Sequence, residues 1–341
     1  MKTVFKCLSL LAIVNFLSSC GNNRFDIDTS KVSVEPVVFK RLDKDVFSLN
    51  ASNISNQTVE LQKQYSTFYN RFITSIINNG GVQDSLYSES LLKFINDKDM
   101  SAAYADVKKV FSDNDVELLG DEMTEVMKRY KVLFPNRKMP KQFVTFMSGF
   151  NYNVVYVDST LGVGLEMYMG SNNPFYSALQ FPKYKSRAMN KEHLLADVVR
   201  GWLITEFDNS ESVNNLLNHM IFYGKVFYTT DVLLPNVADS IKIAYTSQQM
   251  IYLDKYEKNL WGFFAKDNKL YENELKLIAE FTNDGPNSAG SISKDCPPRI
   301  AMWLGWQIVK SYMEHNENVT FEELIKEKDV QKILSKSKYK P

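Results

Sequence analysis

Cysteine and histidine are both scarce in this chain of 341 residues, and their spacing limits the chemistry that it can carry. The cysteines are Cys7, Cys20 and Cys296, and the histidines are His193, His219 and His315. No two histidines have the i, i+4 spacing that puts two imidazoles on one helical face for zinc, and no Cys-x-x-Cys pair is present. A phosphate-binding glycine loop and a Gly-x-Ser-x-Gly turn are also missing. The residues therefore predict no catalytic side chain, no metal ligand and no cofactor.

An excess of either charge is also missing. The chain has 40 basic and 40 acidic side chains, and this balance argues against nucleic acid as a partner. Lys336, Lys338 and Lys340 form a short basic tail at the C-terminus. Such a tail could touch anionic lipid headgroups, although solvent-exposed terminal lysines are the commoner case.

Residues 1–19 have the pattern of a signal peptide. Basic residues precede an apolar run over 7–17, which is too short to span a bilayer. The stretch ends in Leu17-Ser18-Ser19-Cys20, which resembles a bacterial lipobox. We therefore expect cleavage before Cys20 and acylation of this cysteine, so that the acyl chains bind the membrane.

The mature chain has one predicted body behind a short tether. With Cys7 removed and Cys20 acylated, Cys296 is the only free thiol, so no intrachain disulfide forms and the fold depends on its core. Residues 20–35 are polar and without an apolar period, which is typical of a tether. We interpret residues 36–341 as a single domain.

The apolar patterns of this domain predict an α+β fold that is mostly α. Helical patterns dominate residues 36–140 and 188–335. Residues 142–170 are rich in β-branched and aromatic residues and predict a small antiparallel sheet. Its last strand is expected over 165–169, where polar Glu166 and Tyr168 alternate with apolar neighbours.

Several helices carry more specific signals. Seven apolar residues recur at helical spacing in one long amphipathic helix: Leu61, Tyr65, Phe68, Tyr69, Phe72, Ile73 and Ile76. Asn190 is expected to cap a helix, and Thr246 with Gln249 and Thr320 with Glu323 have capping-box spacing.

The segment from Cys296 to Met313 predicts the central core helix. Two prolines stand where a helix would begin, and from Ile300 to Val309 the only strongly polar side chain is Gln307. Gly305 lowers the helix propensity, so we expect it to allow another backbone to approach closely.

Some residues admit a functional interpretation beside a structural one. Glu166, Tyr168, Glu192 and Glu206 could line a cleft, but a solvated face is the commoner explanation. Trp202, Trp261, Trp303 and Trp306 are interpreted as core residues. In the segment around His219, Met220 and Tyr223 stand where a zinc peptidase would have its glutamate and second histidine. A hydrogen-bonded structural histidine is therefore favoured at His219.

Five segments resemble the gliding-motility lipoprotein family GldB of Bacteroidota. They are Gly149-Phe150-Asn151-Tyr152-Asn153-Val154-Val155, Gly162-Val163-Gly164-Leu165-Glu166-Met167-Tyr168-Met169-Gly170, Asp197-Val198-Val199-Arg200-Gly201-Trp202, Met220-Ile221-Phe222-Tyr223-Gly224-Lys225 and Trp303-Leu304-Gly305-Trp306-Gln307-Ile308-Val309-Lys310-Ser311-Tyr312-Met313. The order of elements is also similar to a zincin-like scaffold of predicted zinc peptidases, but without their metal motif.

The resemblance implies an envelope lipoprotein that acts as a structural or assembly component with envelope protein partners. It is expected in the outer membrane and facing the periplasm, because Gly21-Asn22-Asn23 lacks the acidic run of a surface-export signal. Two alternatives stay open: a zinc-dependent peptidase with unconventional ligands, such as His219 with acidic partners, and a periplasmic module that binds a peptide or glycan. In this phylum Ser85 and Ser240 also resemble O-glycosylation acceptors, since each lies between an aspartate and an apolar residue.

Overall fold

The computed structural model describes residues 24–207, 213–266, 268–288 and 292–341. Sixteen α-helices and four β-strands lie in these ranges. The strands are β1 (Phe39–Arg41), β2 (Gln142–Phe146), β3 (Val154–Val157) and β4 (Thr160–Gly164). The helices before the sheet hairpin are α1 (Leu42–Phe47), α2 (Ile54–Tyr65), α3 (Thr67–Arg71), α4 (Tyr87–Asn96), α5 (Lys98–Val110) and α6 (Asp113–Leu133). Those after it are α7 (Pro174–Ala178), α8 (Lys183–Ser186), α9 (Lys191–Glu206), α10 (Leu216–Leu233), α11 (Asp239–Ile243), α12 (Ser247–Ala265), α13 (Leu275–Thr282), α14 (Ile300–His315), α15 (Phe321–Lys326) and α16 (Val330–Ser337).

The mostly α fold with a small sheet is confirmed, but the sheet is mixed and not simply antiparallel. Its order is β1-β2-β4-β3, and β2 lies parallel to both β1 and β4. Only β3 and β4 form an antiparallel hairpin, joined by Asp158 and Ser159 with φ of 48° and 65°. The parallel β1–β2 pair requires a long crossover, which the helices α1 to α6 supply.

Two predicted boundaries around the sheet are wrong. Residues 39–41, expected in a helical region, pair with residues 143–145 as the edge strand β1. The strand expected over 165–169 is a 3-10 helix, Leu165–Tyr168. A polar–apolar alternation over so few residues is too short to separate a strand from a tight helical turn.

The predicted amphipathic helix over residues 61–76 is interrupted. All seven of its apolar residues are buried, as predicted. However, Ser66 has a φ of 53°, which separates α2 from α3, and Phe72–Ile76 forms a π-helix. Across this break the apolar face stays on one cluster, into which Val144 and Phe146 of β2 also pack.

The core helix α14 crosses α10 at two glycines, as the sequence suggested for Gly305. A Cβ built on Gly305 would lie 1.8 Å from the carbonyl oxygen of Met220, and one on Gly224 would lie 2.2 Å from that of Gly305. The helix begins at Ile300 and not at the prolines, because Arg299 adopts a left-handed conformation as its N-cap.

Helix capping follows the sequence in two of three predicted places. Thr246 and Thr320 both form complete capping boxes with Gln249 and Glu323. Asn190 precedes α9 but makes no capping hydrogen bond, because its side chain instead accepts from the Ser171 amide and donates to the Arg187 carbonyl. The helix α10 begins at Leu216, and residues 208–212 lie outside the described ranges.

The end of the tether is docked on the far end of α14. The guanidinium of Arg24 donates to the carbonyl oxygens of Val319 (2.7 Å), Asn316 (2.9 Å) and Glu317 (2.5 Å). Arg129 donates to the Phe25 carbonyl at 3.1 Å, and Ile27 packs against the main core. Within the described ranges, no helix combines the length and apolarity required to cross a membrane.

Candidate functional site

The predicted acylation site cannot be compared with the structure, because Cys20 lies outside the described residues. Cys296 is a buried free thiol, and burial raises its pKa to about 11. A buried thiol with a raised pKa is expected to react slowly, so Cys296 is interpreted as a core residue.

The three histidines lie on three different helices. His193 on α9 is buried with Nδ1 3.3 Å from the Ile241 carbonyl, and His315 on α14 contacts the Ser311 carbonyl at 2.9 Å. His219 on α10 is half-buried, its Nε2 lies 2.9 Å from Asn214 Oδ1, and burial lowers its pKa. Among the described residues, no group of three His, Cys, Asp or Glu side chains is arranged to hold a metal ion.

Glu166 is buried, contrary to the expected solvated face. Its Oε1 accepts from the amide and the hydroxyl of Ser148, both at 2.5 Å, and from the Phe150 amide at 3.2 Å. Gly149 and Phe150 have positive φ, so the loop curls its amides towards the carboxyl group. Burial raises the pKa of Glu166, and Oε2 has no hydrogen-bond partner. Glu166 therefore holds the loop between β2 and β3 in place.

Tyr168 is also buried, and it belongs to a charged network on α9. Its hydroxyl donates to Asp197 Oδ2 at 3.1 Å, and Arg200 donates to Asp197 Oδ1 at 2.5 Å. Burial and the nearby Asp197 carboxylate raise the pKa of Tyr168 well above its ordinary value. Asp197 and Arg200 have i, i+3 spacing, which places both on one side of the helix.

Arg200 is fixed at its other end by α11. Its Nη1 donates to the Lys242 carbonyl at 2.5 Å, while the Lys242 ammonium forms a buried ion pair with Asp231 of α10 and contacts Asp239 at 3.2 Å. Arg200 is thus positioned by both a carboxylate and a backbone carbonyl, which leaves little freedom to its guanidinium.

Two further arginines meet at the Ala244 carbonyl, just beyond α11. Arg299 Nη2 donates to the Ile243 carbonyl at 2.7 Å, and Arg187 and Arg299 both approach the Ala244 carbonyl at 3.4 Å. Burial and the neighbouring Arg299 lower the pKa of Arg187. The buried Nε of Arg299 has no hydrogen-bond partner and lies 3.6 Å from Asp284 Oδ1.

These groups surround a cavity of about 430 Å³, a size typical of ligand sites. We call it the arginine cavity. Its lining comprises Phe150, Asn151, Asn153, Met167, Tyr168, Phe181, Tyr184, Lys185, Ala188, Met189, Asp197, Arg200, Ala244, Asp284 and Arg299. Residues from three of the five segments quoted above line it, so those segments converge in space. The arrangement can hold a small polar ligand between charged and aromatic walls.

A larger cavity of about 920 Å³ lies beside the tether, between Arg24, Ile27, Phe321 and Lys326. One of its walls is the tether itself. The arginine cavity is the stronger candidate for a ligand site because Asp197, Arg200 and Arg299 are largely buried and held in fixed orientations.

The other candidates from the sequence do not join the arginine cavity. Glu192 is exposed, and Glu206 lies 3.8 Å from Arg137 and 3.5 Å from the Tyr130 hydroxyl. Trp202, Trp303 and Trp306 are buried in the core as predicted, and Trp261 is half-buried. The four expected cleft residues therefore do not converge.

The remaining surface candidates lie apart from one another. The lysines of the basic tail are exposed, and the Lys336 carbonyl accepts from Asn316, next to the docked tether. Ser85 is exposed in a turn, while Ser240 is half-buried in α11. Glycosylation at either serine stays a prediction.

Sequence reasoning missed Asp197, Arg200, Asp284 and Arg299 as site residues. A signal was present for the first two, because an acidic and a basic residue three apart interrupt the otherwise apolar face of α9. Asp284 and Arg299 lie fifteen positions apart at the two ends of a loop, and no spacing rule connects them.

A family model described as gliding motility protein GldB matches residues 22–341. Searches of curated proteins and of solved structures return no match. The expected similarity to a zincin-like scaffold is therefore not shown.

Proposed function

Because the chain belongs to the GldB family of gliding-motility lipoproteins, we propose that it is an envelope-anchored structural or assembly component of that machinery. Acyl chains on Cys20 would hold it in the outer membrane, with its body in the periplasm and in contact with envelope protein partners. This anchored role fits a chain whose tether is bound tightly to the folded body.

The docking of Arg24 carries the proposal. Arg24 follows Cys20 by four residues, a stretch that spans at most about 14 Å when extended. Its three hydrogen bonds to the loop after α14 restrict where the body can lie relative to the lipid. A flexible linker would let the body rotate freely, whereas this docked tether favours one face towards the membrane.

In this anchored arrangement the arginine cavity would face away from the membrane. Arg299 caps the start of α14, and Arg24 binds the loop that follows its end. A helix of 16 residues is about 24 Å long. The cavity would therefore open at the opposite end of the central helix from the lipid, where a periplasmic partner can reach it.

Substitution of the predicted acylated cysteine tests the anchored role in the native host. Cys20→Ala should leave the chain unprocessed or in the soluble fraction. In a strain that lacks the native gene, this variant should fail to restore the phenotype that the wild-type chain restores. Cys7→Ala is the matched control, because Cys7 belongs to the removed signal peptide and should behave as wild type. Full complementation by a soluble Cys20→Ala chain would reject the anchored role.

A further inference from the structure

The arginine cavity contains more positive than negative charge. Lys185, Arg200 and Arg299 line it together with only two carboxylates, Asp197 and Asp284. Arg200 is paired with Asp197, and Arg299 forms an ion pair with the 40% exposed Asp284 at 3.6 Å, so the excess positive charge of the lining is that of Lys185. Arg187 adds a further positive charge behind the cavity wall through its shared contact with the Ala244 carbonyl.

An incoming anion would meet a prepared donor at Arg299. This side chain is only 12% exposed, and its Nε–H is buried without a hydrogen-bond partner. A buried donor that lacks an acceptor is costly, so an oxygen ligand that accepts from it would recover that free energy. The guanidinium is already oriented by the Ile243 and Ala244 carbonyls, which reduces the entropy lost on binding.

We propose that the arginine cavity binds the carboxylate of an acidic peptide segment from a protein partner, with Arg299 as its principal contact. The guanidinium fork matches a carboxylate in geometry. Lys185 at the exposed rim attracts the negative charge of that carboxylate over a longer range.

The walls favour a peptide over a sugar or a free phosphate. Phe150, Phe181, Met167 and Met189 supply apolar surface for a neighbouring side chain. The Nδ2 of Asn151 donates to the Ser148 carbonyl, so its amide oxygen is the group that can accept from a peptide backbone. A neutral glycan would leave the excess positive charge uncompensated, and a phosphate ion would leave the apolar walls unused.

Calorimetric titration of the full chain in detergent tests this proposal. The probes are the N-acetyl dipeptide amides Gly-Glu, Leu-Glu and Phe-Glu, their glutamine counterparts, and inorganic phosphate. We expect at least one glutamate peptide to bind about tenfold or more tightly than its glutamine counterpart, and Arg299→Gln to remove that preference. Arg137→Gln is the matched control, since Arg137 is a half-buried arginine that pairs with Glu322 outside this cavity.

A second variant, at an exposed position, tests the same proposal if Arg299→Gln disturbs folding. Lys185→Gln changes an exposed side chain and should weaken the glutamate peptide about threefold through loss of a rim charge. The proposal is overturned if no glutamate peptide binds, if both peptide series bind equally, or if phosphate binds more tightly than every peptide. These outcomes are independent of Cys20 acylation, so they leave the anchored role unaffected.

Discussion

Lys225 has a buried ammonium group in the middle of α10. It is 8% exposed, and Nζ donates to the Glu327 carbonyl at 2.6 Å and approaches the Ile325 carbonyl at 3.4 Å, at the end of α15. A cation suits the negative end of a helix dipole. Even so, burial lowers the pKa of Lys225 to about 8, so desolvation outweighs these favourable contacts.

This pKa predicts a pH dependence of stability with a definite sign. Between pH 8 and the ordinary lysine pKa of 10.5, the unfolded chain binds more protons than the native one, so the native state gains stability as the pH rises. The contribution should reach about 3 kcal/mol across this window. Urea unfolding of wild type and Lys225→Met at several pH values measures this effect. The free energy of unfolding of the wild type should rise relative to that of Lys225→Met between pH 8 and 10.5. Lys326→Met, at an exposed lysine, should follow wild type. Curves for Lys225→Met that run parallel to wild type throughout would contradict the prediction.

Single residues were predictable from sequence where burial follows from apolarity, and not where a polar group is buried by its partners. Trp202, Trp303 and Trp306 and the apolar residues of 61–76 lie in the core as expected, whereas Trp261 is half-buried. Glu166 does not follow the rule, because its burial depends on the amides of a loop with two residues at positive φ. No period in the sequence encodes that loop conformation.

At the scale of elements, α10 and α14 cross with their backbones in direct contact. Each glycine faces the backbone of the other helix, and Phe227 stacks on Trp306 beside them at 5.4 Å. Helices approach this closely only where side chains are missing on both sides. The sequence indicated Gly305, but its partner Gly224 is recognisable only when the two helices are seen together.

A pair of Gly→Ala substitutions tests this crossing. Gly305→Ala would place a Cβ 1.8 Å from a backbone oxygen, so α10 and α14 must separate, and we expect a loss of about 3 kcal/mol or more. Gly262→Ala in α12 meets nothing within 4 Å and should stabilise the protein by about 0.5–1 kcal/mol through helix propensity. Thermal unfolding of both variants measures the difference. Equal melting temperatures would mean that the helices do not pack through Gly305.

The strand order and pairing of the mixed sheet were not predictable from the sequence. The hairpin β3–β4 is local and has recognisable strand composition. The strand β1 has three residues and pairs with residues about a hundred positions later, so its register depends on the packing of all the intervening helices. Short strands fixed by distant contacts have no local signature.

At the scale of the whole molecule, α14 separates the docked tether from the arginine cavity. The tether is bound after its last turn, and the arginine cavity lies at its first. If the acyl chains fix the tether end of α14 to the lipid, the end with the arginine cavity is held at a set distance from the membrane. Neither end was apparent from the sequence, because Arg24 and Arg299 each act through contacts with residues far along the chain.

Lipid quenching of site-specific fluorophores tests this orientation directly. Single cysteines introduced as Asn318→Cys and Lys185→Cys are both exposed and can be labelled, whereas the buried Cys296 should not react. In vesicles that contain brominated lipids, the label at 318 beside the docked tether should be quenched, and the label at 185 beside the arginine cavity should not.

Arg24→Gln should reduce this contrast, because it removes hydrogen bonds between the tether and the loop after α14. Arg71→Gln, at an exposed arginine on α3, should preserve the contrast. Equal quenching at both positions in the wild type would mean that the body tumbles freely on its anchor, and the assignment of a membrane-facing end would then be wrong.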